Sequence, residues 1–267
     1  MISLVSGSSG FIGKHLVKRL AHLGHKVIPI SYKQELPKVD EIDYFFHLAG
    51  YGNHSNQLEY EDILDSNVNF LWKIVHTYPH TKRFIYVSTS SIYGFKEEPM
   101  KEEMVPHPVT EYALTKTIGE YISAFVFKEH VRIIRPFSVY GPGEAEFRFI
   151  PTVIQAILKR RQFPLVPDPV HDWIYIDDFL DGLFFAFKGE KQIVNIGTGR
   201  ETSNADVVKT LGALCGAPPL VTISEPMRSY DSLHWCADNS LLKSMGWQQQ
   251  HSLVEGLRKT ILYYVAN

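Results

Sequence analysis

A tyrosine and a lysine four residues apart, Tyr112 and Lys116, are the side chains of this sequence best suited to acid–base chemistry. On a helix this spacing places both on one face, where the ammonium group lowers the pKa of the phenol and prepares it to donate or accept a proton. Such a pair suits the reduction of a carbonyl or the oxidation of a carbinol. The same spacing also arises on ordinary amphipathic surface helices, so it requires a second signal.

The second signal is a glycine-rich run near the start of the sequence, with Gly7, Gly10 and Gly13. The apolar run 2–6 predicts a strand before it, and the apolar spacing of residues 14–23 predicts a helix after it. In such a turn the backbone approaches a pyrophosphate closely, and the helix N-terminus offers free N–H groups to the phosphates. The run therefore predicts a dinucleotide site, with a merely tight strand-to-helix turn as the alternative.

The composition is that of an ordinary globular protein, with 267 residues, 21% of them charged, and a formal net charge of −2. This balance provides no basic surface for nucleic acid or an anionic membrane, so phosphate groups must be bound locally. The two cysteines, Cys215 and Cys236, indicate a reducing compartment, and neither they nor the twelve histidines show metal-binding spacing. The sequence begins in an apolar strand and has no run long enough to span a bilayer, so we expect a cytoplasmic protein without a metal.

Strand and helix signals alternate through the first two-thirds of the sequence. Strands are predicted at residues 27–31, 44–48, 84–88 and 131–134, with helices around 63–78 and 112–127. This alternation predicts an α/β fold with a doubly wound parallel (Rossmann) sheet. Only a short polar segment lies between Tyr32 and Asp43, which is too little for a further strand and helix. The sheet is therefore expected to be trimmed after its second strand.

The pattern loosens beyond Pro142. It predicts a helix at 149–159, a strand at 193–196, a helix at 204–214, and a strand with a loop at 218–228. We expect residues 1–142 to form the dinucleotide-binding core. Residues 143–267 would form mostly a smaller substrate-binding lobe, with segments near 170–198 returning to the core.

In this order the segments resemble the extended short-chain dehydrogenase/reductase family of nucleotide-sugar epimerases, dehydratases and reductases. The resemblance covers nearly the whole chain. Its matching stretches are the glycine loop, His47-Leu48-Ala49-Gly50, Asn67-Val68, residues 87–94, the Tyr112 and Lys116 helix, residues 135–143, residues 171–178, residues 195–199, Arg228 with Asp231, and Gly246-Trp247.

The resemblance implies a role for each matching position. Thr89 would hydrogen-bond the reacting oxygen, Tyr112 would be the acid/base, and Lys116 would bind the ribose and hold down the pKa of the phenol. A strand-end hydroxyl that caps backbone is the alternative role for Thr89. The implied cofactor contacts are Gly7, Gly10, Phe11, Ile12, Gly13, Ser31, Tyr32, Lys33, Leu48, Ala49, Gly50, Asn67, Tyr112, Lys116, Pro136 and Ser138. The implied substrate contacts are Thr89, Ser90, Ser91, Ser138, His171 and Arg228, the last as a clamp on a diphosphate.

Departures from the family pattern separate the possible activities. Dehydratases of the family carry Asp-Glu after the threonine, whereas Ser90-Ser91 stand here and neither hydroxyl replaces a carboxylate near neutral pH. After the second strand, Ser31-Tyr32-Lys33 replaces the acid that usually holds the adenosine ribose of NAD, which favours NADP(H) over NAD(H). His171 replaces a common arginine, so either it assists Arg228 when protonated or the substrate carries less phosphate.

These features predict an NAD(P)-dependent oxidoreductase that reduces a keto group of a nucleotide-linked sugar, such as a 4-keto-6-deoxyhexose. A NAD-dependent 4-epimerase is the alternative, and a non-catalytic dinucleotide-binding protein on the same fold is a third hypothesis. Family members commonly pair through two helices, so a homodimer is expected. The apolar residues predicted for that interface are Ile63, Leu64, Val68, Leu71, Ile74, Val75, Ile118, Ile122 and Phe125, with simple core burial as the alternative.

Overall fold

The computed structural model describes residues 1–53, 59–224 and 231–266. The chain divides into two compact units. The first comprises Met1–Gly94, Glu102–Pro136 and Leu183–Asn195, and the second comprises Phe95–Lys101, Phe137–Gly182 and Ile196–Asn267.

A six-stranded sheet forms the centre of the first unit. Its strands are β1 (Ile2–Ser6), β2 (Lys26–Ile30), β3 (Tyr44–His47), β4 (Phe84–Val87), β5 (Val131–Pro136) and β10 (Ile193–Ile196). They lie in the order β10-β5-β4-β3-β1-β2, and β1 pairs in parallel with both β2 and β3. The predicted doubly wound parallel sheet is confirmed, and each strand predicted for this sheet agrees with an observed one to within two residues.

The strand order reverses between β1 and β3, which is the point where such sheets bind their ligands. The segment 31–43, between β2 and β3, contains turns but no helix or strand. The sheet is therefore trimmed as predicted. Within segment 31–43, the buried Ile42 packs in the same apolar cluster as Leu4 and Phe45, so this short connection still covers the sheet.

Helices cover the sheet of the first unit. They are α1 (Phe11–His22), α2 (Tyr60–Leu64), a π-helical turn (Asp65–Asn69), α3 (Phe70–Thr77), a 3-10 turn (Ser90–Tyr93), α4 (Glu111–Phe127) and a second 3-10 turn (Lys128–His130). Leu16 and Leu20 are spaced four apart on α1 and are both fully buried, as an amphipathic helix on a sheet requires. Thr110 begins α4, because its hydroxyl accepts a hydrogen bond from the N–H of Ala113.

The second unit contains short strands and longer helices. The strands are β6 (Ser138–Tyr140), β7 (Gln162–Leu165), β8 (Val170–His171), β9 (Trp173–Tyr175), β11 (Thr202–Ser203) and β12 (Leu220–Ile223). The helices are α5 (Phe149–Leu158), α6 (Ile176–Lys188, which has residues in both units), α7 (Asn204–Cys215), α8 (Ser240–Ser244) and α9 (Leu253–Ala266). Pairs form between β6 and β9, β7 and β12, and β8 and β11.

A buried carboxylate ties the loops of the second unit together. Asp172 accepts hydrogen bonds from the N–H groups of Thr198, Gly199 and Ala237 and from the Thr198 hydroxyl. These donors satisfy a charge that is removed from solvent. The backbone carbonyl of Asp172 accepts from the N–H of Ser138, so this residue also fixes the start of β6. None of the described helices combines the length and the apolar character needed to cross a membrane.

Candidate active site

The glycine loop lies at the carboxyl end of β1 and is packed too tightly for other residues. Gly7 has a φ of +71°, and a Cβ atom there would lie 2.7 Å from the N atom of Ala49. A Cβ atom on Gly13 would lie 2.0 Å from the carbonyl oxygen of Gly7. Glycine at these two positions therefore lets the loop contact the first turn of α1 and the segment after β3.

The first turn of α1 offers backbone donors beside this loop. The intrahelical hydrogen bonds begin with the N–H of Lys14, which donates to the carbonyl of Gly10 at 3.0 Å. The N–H groups of Phe11, Ile12 and Gly13 precede that bond and point out of the helix end. A glycine cradle against a helix N-terminus fits the pyrophosphate of a dinucleotide, so these residues suit the cofactor that the sequence implies.

The segment after β3 lies against the glycine loop. Leu48, Ala49 and Gly50 follow the buried His47, and the N–H of Leu48 donates to the carbonyl of Ser6 at 3.1 Å. The end of β3 is thus held beside the end of β1. The structure brings these three predicted cofactor contacts to the switch point of the sheet.

Lys116 is almost completely buried, and its ammonium group lies inside the first unit. Its Nζ atom is 4.3 Å from the centroid of the Tyr86 ring and would be 3.9 Å from a Cβ atom on Gly50. Tyr86 reaches α4 because Gly119 has no side chain, and a Cβ atom there would lie 2.0 Å from the Tyr86 hydroxyl. The electron-rich ring face partly stabilises a cation that burial has stripped of water.

Burial controls the charge of Lys116 and of its neighbour His47. Loss of solvent lowers the pKa of Lys116 to about 7, although the charge of Glu120 acts to raise it. Burial, followed by the charge of Lys116, holds the pKa of His47 well below its usual value. The imidazole of His47 is therefore neutral, and its Nδ1 atom lies 2.8 Å from the Ser6 hydroxyl.

Tyr112 lies in the first turn of α4, one turn before Lys116, and is half-buried. Its carbonyl accepts from the Thr115 hydroxyl, which also receives a hydrogen bond from the Asn67 amide at 2.9 Å. Burial, followed by the influence of Glu120 and then of Tyr112, raises the pKa of Tyr86 well above its usual value, so the Tyr112 phenol lies within electrostatic range of the ring below Lys116. Helix α4 thus carries both members of the pair on the same side.

Thr89 follows β4 and caps the 3-10 turn behind it. Its hydroxyl accepts from the N–H of Ser91 and donates to the Ser91 hydroxyl, both at 3.1 Å. The capping role considered from the sequence is therefore present. Ser90 is buried and Ser91 is half-buried, so the three hydroxyl residues form one cluster at the end of β4.

Asn67 is held by protein contacts instead of facing open space. Its amide donates to the carbonyl of Tyr51 and to the Thr115 hydroxyl, while its oxygen accepts from the N–H of Tyr51. Both amide hydrogens are therefore occupied. This arrangement lets Asn67 position the segment after Gly50 relative to α4, and its predicted contact with the cofactor stays a prediction.

The run Ser31-Tyr32-Lys33 is exposed at the end of β2. The Tyr32 hydroxyl donates to the carboxylate of Asp65, and its ring lies nearly perpendicular to the Phe70 ring, with centroids 5.2 Å apart. Asp65 was not predicted as a site residue from the sequence. Its separation of 33 residues from Tyr32 left no local signal for this contact.

The remaining predicted residues have different positions. Pro136 ends β5 in the first unit. In the second unit, the Ser138 hydroxyl lies 3.4 Å from His171 Nδ1, and His171 packs against Trp173 with ring centroids 5.0 Å apart. Arg228 lies outside the described residues, so its predicted clamp on a diphosphate stays a prediction.

A buried ion pair supports α4 behind the site and was missed from the sequence. Arg135 binds Glu120 through two hydrogen bonds, Nε to Oε1 at 3.0 Å and Nη2 to Oε2 at 2.8 Å. Arg135 also donates to the Tyr93 hydroxyl at 2.8 Å. The two residues are 15 positions apart on different elements, so no local spacing indicated this pair. The pair joins α4 to β5 and to the turn that follows Thr89.

Known proteins with similar sequences and folds agree with this geometry. A model of the NAD dependent epimerase/dehydratase family matches residues 3–197. A UDP-glucose 4-epimerase of Mycolicibacterium smegmatis is 27% identical, over 99% of this chain and 98% of its own length. A trifunctional UDP-glucose 4,6-dehydratase/UDP-4-keto-6-deoxy-D-glucose 3,5-epimerase/UDP-4-keto-L-rhamnose-reductase of Arabidopsis thaliana is 25% identical, over 99% of this chain and 47% of its own length.

A solved structure of MoeE5 in complex with UDP-glucose and NAD superimposes with a TM-score of 0.89 at 25% identity, covering 100% of this chain and 99% of MoeE5. The region that the family model matches contains the glycine loop, Thr89, Tyr112 and Lys116. The chain therefore belongs to the NAD dependent epimerase/dehydratase family, a group of enzymes within the extended short-chain dehydrogenases/reductases.

Proposed function

We propose that this protein is an epimerase that inverts a carbinol carbon of a nucleotide-linked sugar with a retained NAD. The observation that carries the proposal is the buried ammonium group of Lys116, one turn from Tyr112 and directed at the backbone of Gly50. A buried cation at that place lowers the pKa of a neighbouring phenol and meets the hydroxyls of a ribose that lies over the switch point.

Each residue has a defined part in this proposal. Tyr112 takes the proton of the sugar hydroxyl during oxidation and returns it to the carbonyl oxygen during reduction. Thr89 hydrogen-bonds the same oxygen, and Lys116 keeps the phenol ready to lose its proton. A dinucleotide held by the glycine loop and Lys116 would supply the hydride acceptor for the oxidation and the hydride donor for the reduction. Inversion requires that the oxidised sugar present its other face before the hydride returns.

Dehydration does not fit the cluster after β4. Removing water from a sugar needs an acid and a base beside the reacting carbons, and Ser90 and Ser91 supply hydroxyls alone. The Ser91 hydroxyl is moreover engaged with Thr89. This leaves epimerisation and simple reduction, which use the same three catalytic residues.

Names of related proteins favour the epimerase and suggest the substrate. The Mycolicibacterium relative is named a UDP-glucose 4-epimerase, and MoeE5 was solved with UDP-glucose and NAD. UDP-glucose is therefore the first substrate to test. Reduction of a keto sugar, which the sequence favoured, is the second candidate, because Lys33 at the end of β2 provides a cation for the 2′-phosphate of NADP(H).

The deciding experiment identifies the dinucleotide that the purified protein retains. Mass spectrometry of the small molecules released by acid is expected to find NAD, and incubation with UDP-glucose is expected to give its 4-epimer without added cofactor. Consumption of one NADPH for each keto sugar reduced, with no retained NAD, would establish the reductase instead. Failure of both reactions, with a dinucleotide still bound, would favour the non-catalytic hypothesis.

We infer that the protein forms a homodimer through α3 and α4. Four large apolar side chains on these helices are exposed: Trp72 (49%), Leu114 (45%), Tyr121 (65%) and Phe125 (78%). Leu114, half-buried Ile118, Tyr121 and Phe125 follow one another at helical spacing, so they form a stripe on α4. An apolar stripe of this kind commonly marks a protein interface.

Part of the interface predicted from the sequence is wrong. Four of its residues lie on the buried faces of α2 and α3 in the single chain, so they cannot contact a second copy: Ile63, Leu71, Ile74 and Val75. Leu64, Val68 and Ile122 are half-buried.

Three further predictions from the sequence stay part of this proposal. They are the division into a core of residues 1–142 and a substrate lobe of 143–267, the substrate contacts of Ser138, His171 and Arg228, and a cytoplasmic location.

A further inference from the structure

We propose that Asp65, held by Tyr32, selects NAD over NADP in place of the acid that is absent from the end of β2. This inference rests on the proposed function, because it concerns the cofactor of that same site. In dinucleotide-binding sheets the acid usually follows the second strand, whereas Asp65 lies in the π-helical turn after α2.

The position of Tyr32 follows from the register of two strands. Ser6 of β1 pairs with Ile30 of β2 in parallel, so the glycine loop and Ser31 leave the sheet at the same edge. In dinucleotide-binding sheets, an acid about 20 residues after the glycine loop binds the 2′-hydroxyl of the adenosine ribose. Here that region carries Ser31-Tyr32-Lys33. The exposed Tyr32 therefore lies where the ribose or its 2′-phosphate is expected.

Two hydrogen bonds hold the carboxylate of Asp65 at this edge. The Tyr32 hydroxyl donates to Oδ2, and the amide of Asn69 donates to Oδ1 at 2.7 Å. The Tyr32 ring in turn packs edge-on against Phe70, which is almost completely buried in the apolar cluster of the first unit. Tyr32 and Phe70 thus connect the carboxylate to the apolar cluster of the first unit.

The charge of Asp65 opposes a bound 2′-phosphate. The hydrogen bonds from Asn69 and then Tyr32 lower the pKa of this carboxyl, so it is ionised at neutral pH. A phosphate monoester carries a charge of roughly −1.5 to −2 at pH 7 and is repelled by a carboxylate near it. A ribose hydroxyl is neutral and donates to either the carboxylate or the phenol oxygen. The same pair of residues therefore accepts NAD and disfavours NADP.

Lys33 opposes this effect, because its ammonium group would attract the 2′-phosphate. We expect the repulsion by Asp65 to exceed the attraction by Lys33. Asp65 is fixed by two donors, whereas the Lys33 side chain is exposed and the only described hydrogen bond of this residue runs from its backbone N–H to the Ser31 hydroxyl. A lysine variant then separates the two charges experimentally.

Calorimetric titration of the dinucleotide-free protein with NAD and with NADP tests the inference without relying on turnover. The unmodified protein is expected to bind NAD more tightly. Asp65→Asn is expected to strengthen NADP binding about tenfold while NAD binding changes little, and the gain should shrink at high salt. Tyr32→Phe should move the ratio in the same direction by less. Glu61→Gln, which removes an exposed acid on α2, is the matched control and should leave the ratio unchanged.

The outcomes distinguish this inference from the proposed function. An unchanged ratio in Asp65→Asn, or an equal change in Glu61→Gln, would overturn the role of Asp65 while retained NAD and sugar epimerisation still stood. Tighter NADP binding by the unmodified protein, lost in Lys33→Gln, would overturn both. If the unmodified protein epimerises no sugar nucleotide, but Asp65→Asn still shifts the ratio of NADP to NAD affinity as expected, only the proposed function would be overturned.

Discussion

The Nζ atom of Lys116 lies 4.3 Å from the centre of the Tyr86 ring, and the lysine side chain has almost no contact with solvent. Burial of this ammonium group lowers the stability of the fold, because water solvates the charge fully in the unfolded chain and hardly at all in the folded one. The chain accepts that cost at a place where the proposed chemistry needs a cation.

Lys116→Met is expected to stabilise the dinucleotide-free protein near neutral pH and to abolish turnover. The pKa of Lys116 is about 7 when folded and ~10.4 when unfolded, so the unfolded chain binds more protons between these values. The stability of the wild type therefore rises with pH across this window. The cost of burying the charged Lys116 is largest below pH 7. Allowing for the lost ring contact, the gain at pH 7 is about 3 kcal/mol and vanishes toward pH 10.

Thermal unfolding at pH 7 and pH 10 measures this effect. Lys18→Met, on the exposed face of α1, controls for the general effect of replacing a lysine. If Lys116→Met has a lower melting temperature than the wild type at pH 7, the ammonium group stabilises the fold and the prediction is wrong.

Tyr112→Phe is expected to lower turnover by ~10²–10⁴-fold, because it removes the transferable proton while retaining the ring. Dinucleotide affinity should change little, since the glycine loop and the end of α1 remain intact. Single-turnover kinetics with UDP-glucose, together with a titration of NAD, measure both quantities. Unaltered turnover would exclude Tyr112 as the acid/base.

Phe125→Glu is expected to convert the proposed dimer into a monomer. Phe125 is 78% exposed in the single chain, so the charge costs little on folding but is buried without a partner on association. Val105→Glu, at a site that is 79% exposed and outside the apolar stripe of α4, is the matched control and should remain dimeric. Light scattering after size exclusion at micromolar concentration decides. A monomeric wild type would count against the interface.

Glu144→Gln is expected to stabilise the protein at pH 8 but not at pH 5. Burial raises the pKa of Glu144 to about 7 despite the opposing effect of Arg148, and within the described chain its Oε2 atom has no hydrogen-bond partner. The folded chain therefore holds more protons between pH ~4.5 and 7, so wild-type stability falls as pH rises through this window. Above it the cost reaches at most roughly 3 kcal/mol.

Melting temperatures at the two pH values measure this difference. Glu146→Gln, two residues away and exposed, is the control and should show no dependence on pH. A Glu144→Gln protein with equal stability gains at pH 5 and pH 8 would mean that the carboxyl is not titrating in this range.

Arg228→Ala is expected to raise KM for a sugar nucleotide about ten- to a hundredfold with a smaller effect on kcat, because a diphosphate clamp lies away from the reacting carbon. His171 would assist when protonated, so wild-type binding should be tighter near pH 6 than pH 8, and His171→Ala should remove that difference. A KM series over pH with both variants measures these effects. A KM indifferent to Arg228→Ala would place the diphosphate elsewhere or argue for a smaller substrate.

Local signals in the sequence determined the sheet and much of the proposed site. The apolar run before Gly7, the apolar spacing after Gly13 and the four-residue spacing of Tyr112 and Lys116 depend on backbone geometry alone. That geometry is the same in any helix or strand. The short polar segment before Asp43 likewise determined the trimmed sheet, because a chain of that length cannot hold another strand and helix.

Helices α6 and α9 were not predicted, although both carry apolar residues at helical spacing. In α6 the buried residues Phe179, Leu183 and Phe187 follow one another at intervals of four, so its sequence contained a usable signal. The interface residues that were wrong have a different cause. Leu71 and Trp72 are adjacent and both apolar, yet one is fully buried and the other about half exposed. Only the direction of α3 relative to the sheet decides between them.

Contacts between distant segments were decided by the tertiary structure alone. Tyr32 and Asp65 are 33 residues apart, and Arg135 and Glu120 are 15 apart on different elements. A sequence specifies that such side chains carry charge or hydrogen-bonding groups. The charge state of Lys116 is decided in the same way, because its pKa depends on the solvent that Tyr86, Gly50 and α4 exclude together, and that exclusion exists only once the chain has folded.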